Sequence, residues 1–92
     1  MKLKKDYVLR QIAGSWVVIP MGQAALDFNG MLSMNETGAV LWKALEAGGD
    51  ATAMAQALQA EYDVTFQQAF ADAENFLRRL EDAGCLEQEE TL

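Results

Sequence analysis

The segment Gly30 to Leu45, GMLSMNETGAVLWKAL, constrains the fold more than any other part of the chain. Leu32 and Met34 alternate with Met31 and Ser33, which is the two-residue period of a strand. Asn35 stands where a helix N-cap belongs, because its short side-chain oxygen reaches a free N–H of the first turn. Glu36 then faces the positive end of the helix dipole. Gly38, Leu41, Trp42 and Leu45 follow at helical spacing and mark one apolar face. The reading is a short strand running straight into a capped helix. Its far side is expected to be a sheet edge, and an exposed edge can bind an extended peptide.

The flanking sequence completes a simple order of elements. Tyr7 to Ile12 (YVLRQI) is rich in β-branched and aromatic residues and reads as a first strand. Ala13-Gly14 reads as a turn, and Ser15 to Ile19 as a second, antiparallel strand stopped by Pro20. Residues 21–29 are read as a long hairpin loop or as extensions of either neighbouring strand, Asn29-Gly30 being a turn signal in its own right. Met31 to Met34 is the third strand. The first helix is expected from Glu36 to Ala47, ended by Gly48-Gly49. Asp50 caps a second helix whose Ala51, Met54, Ala55, Leu58 and Tyr62 form one apolar stripe. Thr65 and Gln68 have the spacing of a capping box at the start of a third. That helix carries Phe66, Ala69, Phe70, Ala73, Phe76, Leu77 and Leu80 and stops at Gly84, with Cys85 and Leu86 folding back in a Schellman end. Residues 1–6 are expected to be loose, and Glu87 to Leu92 to form a frayed acidic tail. Three strands followed by three helices predict an α+β, winged helix-turn-helix-like domain with a three-stranded antiparallel sheet, one domain over 1–92 with its ordered core at about 7–86.

Charge and composition exclude much of enzyme chemistry. The 92 residues contain no histidine and one cysteine, so neither a cysteine–histidine nor a serine–histidine nucleophile pair can be assembled. No intrachain disulfide is possible, which suits a reducing compartment, and no zinc-ligand spacing occurs. The fourteen acids fall largely on polar helix faces, as with Asp72, Glu74, Glu81 and Asp82. The glycines make no phosphate-binding pattern. No apolar run approaches the roughly 20 residues of a membrane span, and MKLKKDYVLR lacks the apolar stretch of a signal peptide. The chain is therefore expected to be cytoplasmic, non-catalytic, and free of metal and cofactor.

Binding remains, and charge discriminates among ligands. The net charge is −7, and four of the seven basic residues, Lys2, Lys4, Lys5 and Arg10, lie in the first ten positions. They read as a solvated arm or as a docking patch for an acidic surface. A DNA-reading third helix would present basic or amide groups at its start. Here TFQQAFADAENF offers Gln67 and Gln68 but also Asp72 and Glu74, which repel phosphate. A peptide suits the pattern better. The third strand, Met31, Leu32, Ser33 and Met34, would pair with an extended segment. Phe70, Ala73, Phe76, Leu77 and Leu80 would line or back the groove, with Leu32 and Met34 facing the helix by strand alternation. Arg78 and Arg79 are candidate contacts for acidic peptide residues. The same edge also suits pairing between two copies, giving a monomer or an edge-mediated homodimer.

These residues resemble the PqqD family. The likeness runs from about Tyr7 to Leu86 and rests on MLSMNETGAVLW, AGGDATAMAQALQAEYDV and DAENFLRRLEDAGCL in that order and spacing. Asn35, Trp42, Tyr62, Asp72 and Phe76-Leu77 match the family pattern. Met34 replaces the leucine common before the asparagine, and the 21–29 loop is longer than in compact relatives. The resemblance implies a recognition element that binds the leader of a ribosomally made precursor peptide as an added strand on the third strand, against the third helix. It also implies a partner tailoring enzyme, often a radical SAM enzyme. The competing expectations are a winged-helix DNA-binding regulator and an adaptor that docks on an enzyme without touching peptide.

Overall fold

A computed structural model describes residues 2–22, 25 and 32–87. Met31, the Asn29-Gly30 turn, most of the 21–29 loop and the tail beyond Glu87 lie outside the described residues. The elements are β1 (Lys2–Leu3), β2 (Tyr7–Ile12), β3 (Ser15–Pro20), β4 (Leu32–Met34), α1 (Glu36–Glu46), α2 (Ala51–Glu61), α3 (Phe66–Asp82) and β5 (Leu86–Glu87). Strands β2, β3 and β4 form one antiparallel sheet in that order, as the sequence predicts.

The β2–β3 hairpin closes on two residues, Ala13 and Gly14, at φ 52° and 82°. Two successive positive φ values make the turn type that matches the right-handed twist of the strands. Gly14 adopts this freely, whereas Ala13 holds a left-handed conformation that its Cβ disfavours. In the paired strands Leu9 opposes Val18, Trp16 opposes Met34, and Val18 opposes Leu32. Alternation therefore puts Tyr7, Leu9, Trp16, Val18, Leu32 and Met34 on one face, against the helices, where all six belong to or pack on the core.

Each helix begins and ends on local chemistry. The side chains of Asn35, Asp50 and Thr65 accept from the backbone N–H of Gly38, Ala53 and Gln68 at 2.9, 2.9 and 3.1 Å. The capping box expected at Thr65 is half present, since the Gln68 side-chain amide donates forward to Asp72 at 3.1 Å. Two helices end in Schellman motifs. At α1 the N–H of Gly49 donates to Ala44 O and that of Gly48 to Leu45 O; at α3 Cys85 N–H donates to Leu80 O and Gly84 N–H to Glu81 O. The core between sheet and helices contains Trp42, Met54, Leu58, Ala69, Ala73, Leu77 and Leu80. Trp42 is fully buried, and its indole N–H donates to Glu46 at 3.4 Å.

The chain ends depart from expectation. Lys2–Leu3 is not loose: it pairs antiparallel with Leu86–Glu87 as a separate two-stranded sheet, and Lys4 N–H donates to Cys85 O at 2.9 Å. Strand pairing thus includes Lys2–Leu3 before Tyr7 and Glu87 after Leu86. This small sheet seals Cys85, whose side chain is fully buried. Burial pushes the thiol pKa up, against a smaller opposing pull from the Lys4 charge. A protonated, enclosed thiol packs as a small apolar group and is no nucleophile.

Replacing Ala13 with Asn, which tolerates the left-handed region, is expected to raise unfolding stability by about 0.5–1 kcal/mol. Urea denaturation of the two proteins measures the difference.

Candidate peptide-binding edge

The site begins with the strand that Asn35 terminates. Ser33 is exposed, Leu32 is half-buried and Met34 is buried, so this three-residue strand has one outward side chain between two inward ones. Among the described residues β4 pairs only with β3, so its other side is a sheet edge. The carbonyl of Ser33 accepts from the Arg79 guanidinium at 2.6 Å across 46 residues of sequence. In an antiparallel strand the N–H and C=O of one residue point to the same side. A carbonyl taken by a side chain from α3 is not directed at β3. Ser33 and Val17 therefore form the non-hydrogen-bonded pair, and both backbone polar groups of Ser33 face outward.

Helix α3 runs beside this edge, and its rotation decides which side chains border it. Asp72, Asn75, Phe76 and Arg79, together with Asn35, Thr37, Gly38 and Leu41, enclose a pocket of about 310 Å³. The floor is possible because position 38 has no side chain. A Cβ there would stand 3.0 Å from Met34 Cβ and 3.5 Å from Phe76 Cε1, so glycine lets α1 close onto β4 and α3 together. Polar groups at the rim are already engaged. Asn35 accepts from Thr37 Oγ1 as well as from Gly38 N–H, and Asp72 accepts from Gln68.

Only part of the expected groove set lies on this flank. Phe76 lines the pocket. Ala73 and Leu80 are fully buried and Leu77 nearly so, which places them in the core beneath the helix, where they back this flank and do not line it. Phe70 is separated from Arg79 by nine residues, and at about 100° per residue this sets it half a turn round the helix. It stacks instead beside Phe66, ring centroids 5.6 Å apart. The wide apolar stripe packs chiefly on the neighbouring helix α2 and feeds the core. The bordering row is polar, at 72, 75 and 79, and it is legible beforehand only in Arg79 as a candidate contact and Asp72 as a family position.

Comparison with known proteins bears directly on this arrangement. The model of the family described as coenzyme PQQ synthesis protein D (PqqD) matches residues 16–86. The chain belongs to the PqqD family. The match starts at Trp16 in β3, later than the Tyr7 start read from the sequence, and it contains β4, α1, α2 and α3. Two solved structures share the fold. One is TbiB1 in complex with the TbiA(beta) leader peptide, with 24% identity, 99% of this chain and 100% of that chain covered, and a TM-score of 0.76. The other is lasso peptide synthetase B1 complexed with the leader peptide, with 22% identity, 90% and 92% covered, and a TM-score of 0.71. Among curated proteins none matches the chain.

Asn35 stops β4 and starts α1 in a single residue. Asn35→Ala leaves the Gly38 N–H without its partner and is expected to lower stability by about 1 kcal/mol, measurable as a shift in the urea midpoint at unchanged slope.

Proposed function

We propose that this protein is a non-catalytic recognition element that binds the leader region of a ribosomally made precursor peptide. The leader pairs as an added strand along the outer edge of β4, beside α3, and is presented to a tailoring enzyme. The observation that carries this reading is the outward-facing backbone of exposed Ser33 at a sheet edge that borders a pocket under α3. Backbone hydrogen bonds along such an edge supply affinity, and side-chain pockets on alternate residues supply selectivity. Membership of the PqqD family and the leader peptides named in both similar structures support it.

The chain's own chemistry is consistent with a carrier. It has no histidine, and its one thiol is buried and protonated. Among the described residues, no helix is long and apolar enough to cross a membrane. We place the protein in the cytoplasm, where ribosomal precursors are made. For the partner we favour a radical SAM enzyme on the family likeness. The exposed face of α3 carries Asp72, Glu74, Glu81 and Asp82 beside Arg78 and Arg79, which speaks against a phosphate-binding role.

The test is titration of the purified chain with the leader segment of a precursor encoded beside its gene. Trp16 is half-exposed and pairs with Met34, so it reports on the edge, whereas buried Trp42 is silent. Binding at low micromolar strength or tighter, with a scrambled leader inert, is the expected result. Ser33→Pro removes an outward N–H and leaves the β3 ladder intact, so it is expected to fold and to weaken binding at least about tenfold. Full affinity in a folded Ser33→Pro protein would count against strand addition.

A further inference from the structure

Arg79 holds the acceptor that an added strand needs. Its guanidinium donates to Ser33 O at 2.6 Å, and that carbonyl is the outward acceptor of β4 opposite which a peptide N–H must arrive. A peptide N–H arriving at that carbonyl meets Arg79 there and brings the incoming strand against the guanidinium. A guanidinium carries five donors and no acceptor, so donors remain for a second partner close by. Among the described pocket residues the single carboxylate is that of Asp72, and the Gln68 amide already holds it at 3.1 Å. An incoming strand brings a further acceptor directly to the guanidinium's unused donors.

We propose that Arg79 is a specificity-determining residue that reads an acidic side chain of the bound peptide. The proposal rests on the leader-binding reading and narrows it to a local pattern. Side chains of an added strand that face α3 recur every second residue, about 6.8 Å apart. On α3, Phe76 and Arg79 are three residues apart, about 4.5 Å along the axis, with the apolar pocket floor of Leu41 and Phe76 on one side and the cation on the other. One inward peptide side chain is thus apolar and seats over Leu41 and Phe76. The next inward one, two residues away, is Asp or Glu and pairs with Arg79, whose planar fork matches a carboxylate.

The charge of the rest of the protein sharpens the pattern. At −7 the chain repels an acidic peptide in general. Among the described residues Arg79 is the one cation lining this pocket, so a carboxylate is favoured at a single register and penalised elsewhere. Arg79 accordingly fixes where along the edge the peptide sits, because a slip of two residues would bring the carboxylate away from it.

The experiment uses a displayed library of random dodecapeptides selected on the intact wild-type protein and on folded Arg79→Gln, Arg79→Glu and Ser33→Pro variants. Wild type is expected to enrich peptides with Asp or Glu two positions from an apolar residue. Arg79→Gln should keep the apolar preference and lose the acidic one, and Arg79→Glu should exchange it for Lys or Arg. For one enriched peptide, Arg79→Gln and the matching acid-to-amide change should each weaken binding roughly three- to tenfold and together cost no more than either alone. Enrichment without an acidic preference, an unchanged preference in Arg79→Gln, or tighter binding by Arg79→Gln would overturn the proposal, the last because it would make Arg79 a mere plug on Ser33. If wild type enriches no peptide, or if Ser33→Pro enriches the same peptides with equal strength, the edge-binding reading itself fails and the proposal falls with it.

Discussion

The structure depends on the Asn35 side chain accepting from Gly38 N–H at the join of β4 and α1. One residue ends the strand, opens the helix and orients both. Because Asn35 itself is extended, β4 passes into α1 without a loop. Met34 and Gly38 are then forced together, and the absent side chain at 38 lets Phe76 of α3 reach the same point. Strand edge, helix start and third helix thus meet within a few ångströms. The pocket, the outward Ser33 backbone and the reach of Arg79 all follow from that meeting.

Local signals made most of the fold legible. The three caps at Asn35, Asp50 and Thr65 were readable because each satisfies an N–H within three residues of itself, and the stops at Gly48 and Gly84 because a left-handed residue is needed there. Strand alternation placed Leu32 and Met34 on the helix-facing side. The β1–β5 pair was not legible, because two-residue strands carry no period and their partners lie at opposite ends of the chain. Phe70 illustrates a different limit. An apolar stripe shows which side chains a helix buries, but the tertiary arrangement alone decides which flank meets the sheet edge. The Arg79–Ser33 bond was likewise hidden, since a backbone carbonyl leaves no trace in residue identity.

The division of labour within the domain follows from where polar groups remain unspent. The core is apolar, with no buried polar or charged residue among the described positions. Each cap takes one helix-start donor. Of the two outer strands of the sheet, β2 and β4, it is the short edge of β4 that is flanked by α3 and a cation. A short sheet edge with an outward backbone is where an extended chain can join the sheet.

In the proposed function the leader becomes the fourth strand of the β2–β3–β4 sheet. The most direct measurement is amide hydrogen exchange, resolved by residue, on the protein saturated with the leader segment encoded beside its gene. Strand addition predicts that the Ser33 amide, open to solvent in the free protein, becomes strongly protected, while the amides of β2, which lies at the far side of the sheet, keep their free-state rates. A Ser33 amide that still exchanges at its free rate under saturation would contradict the account.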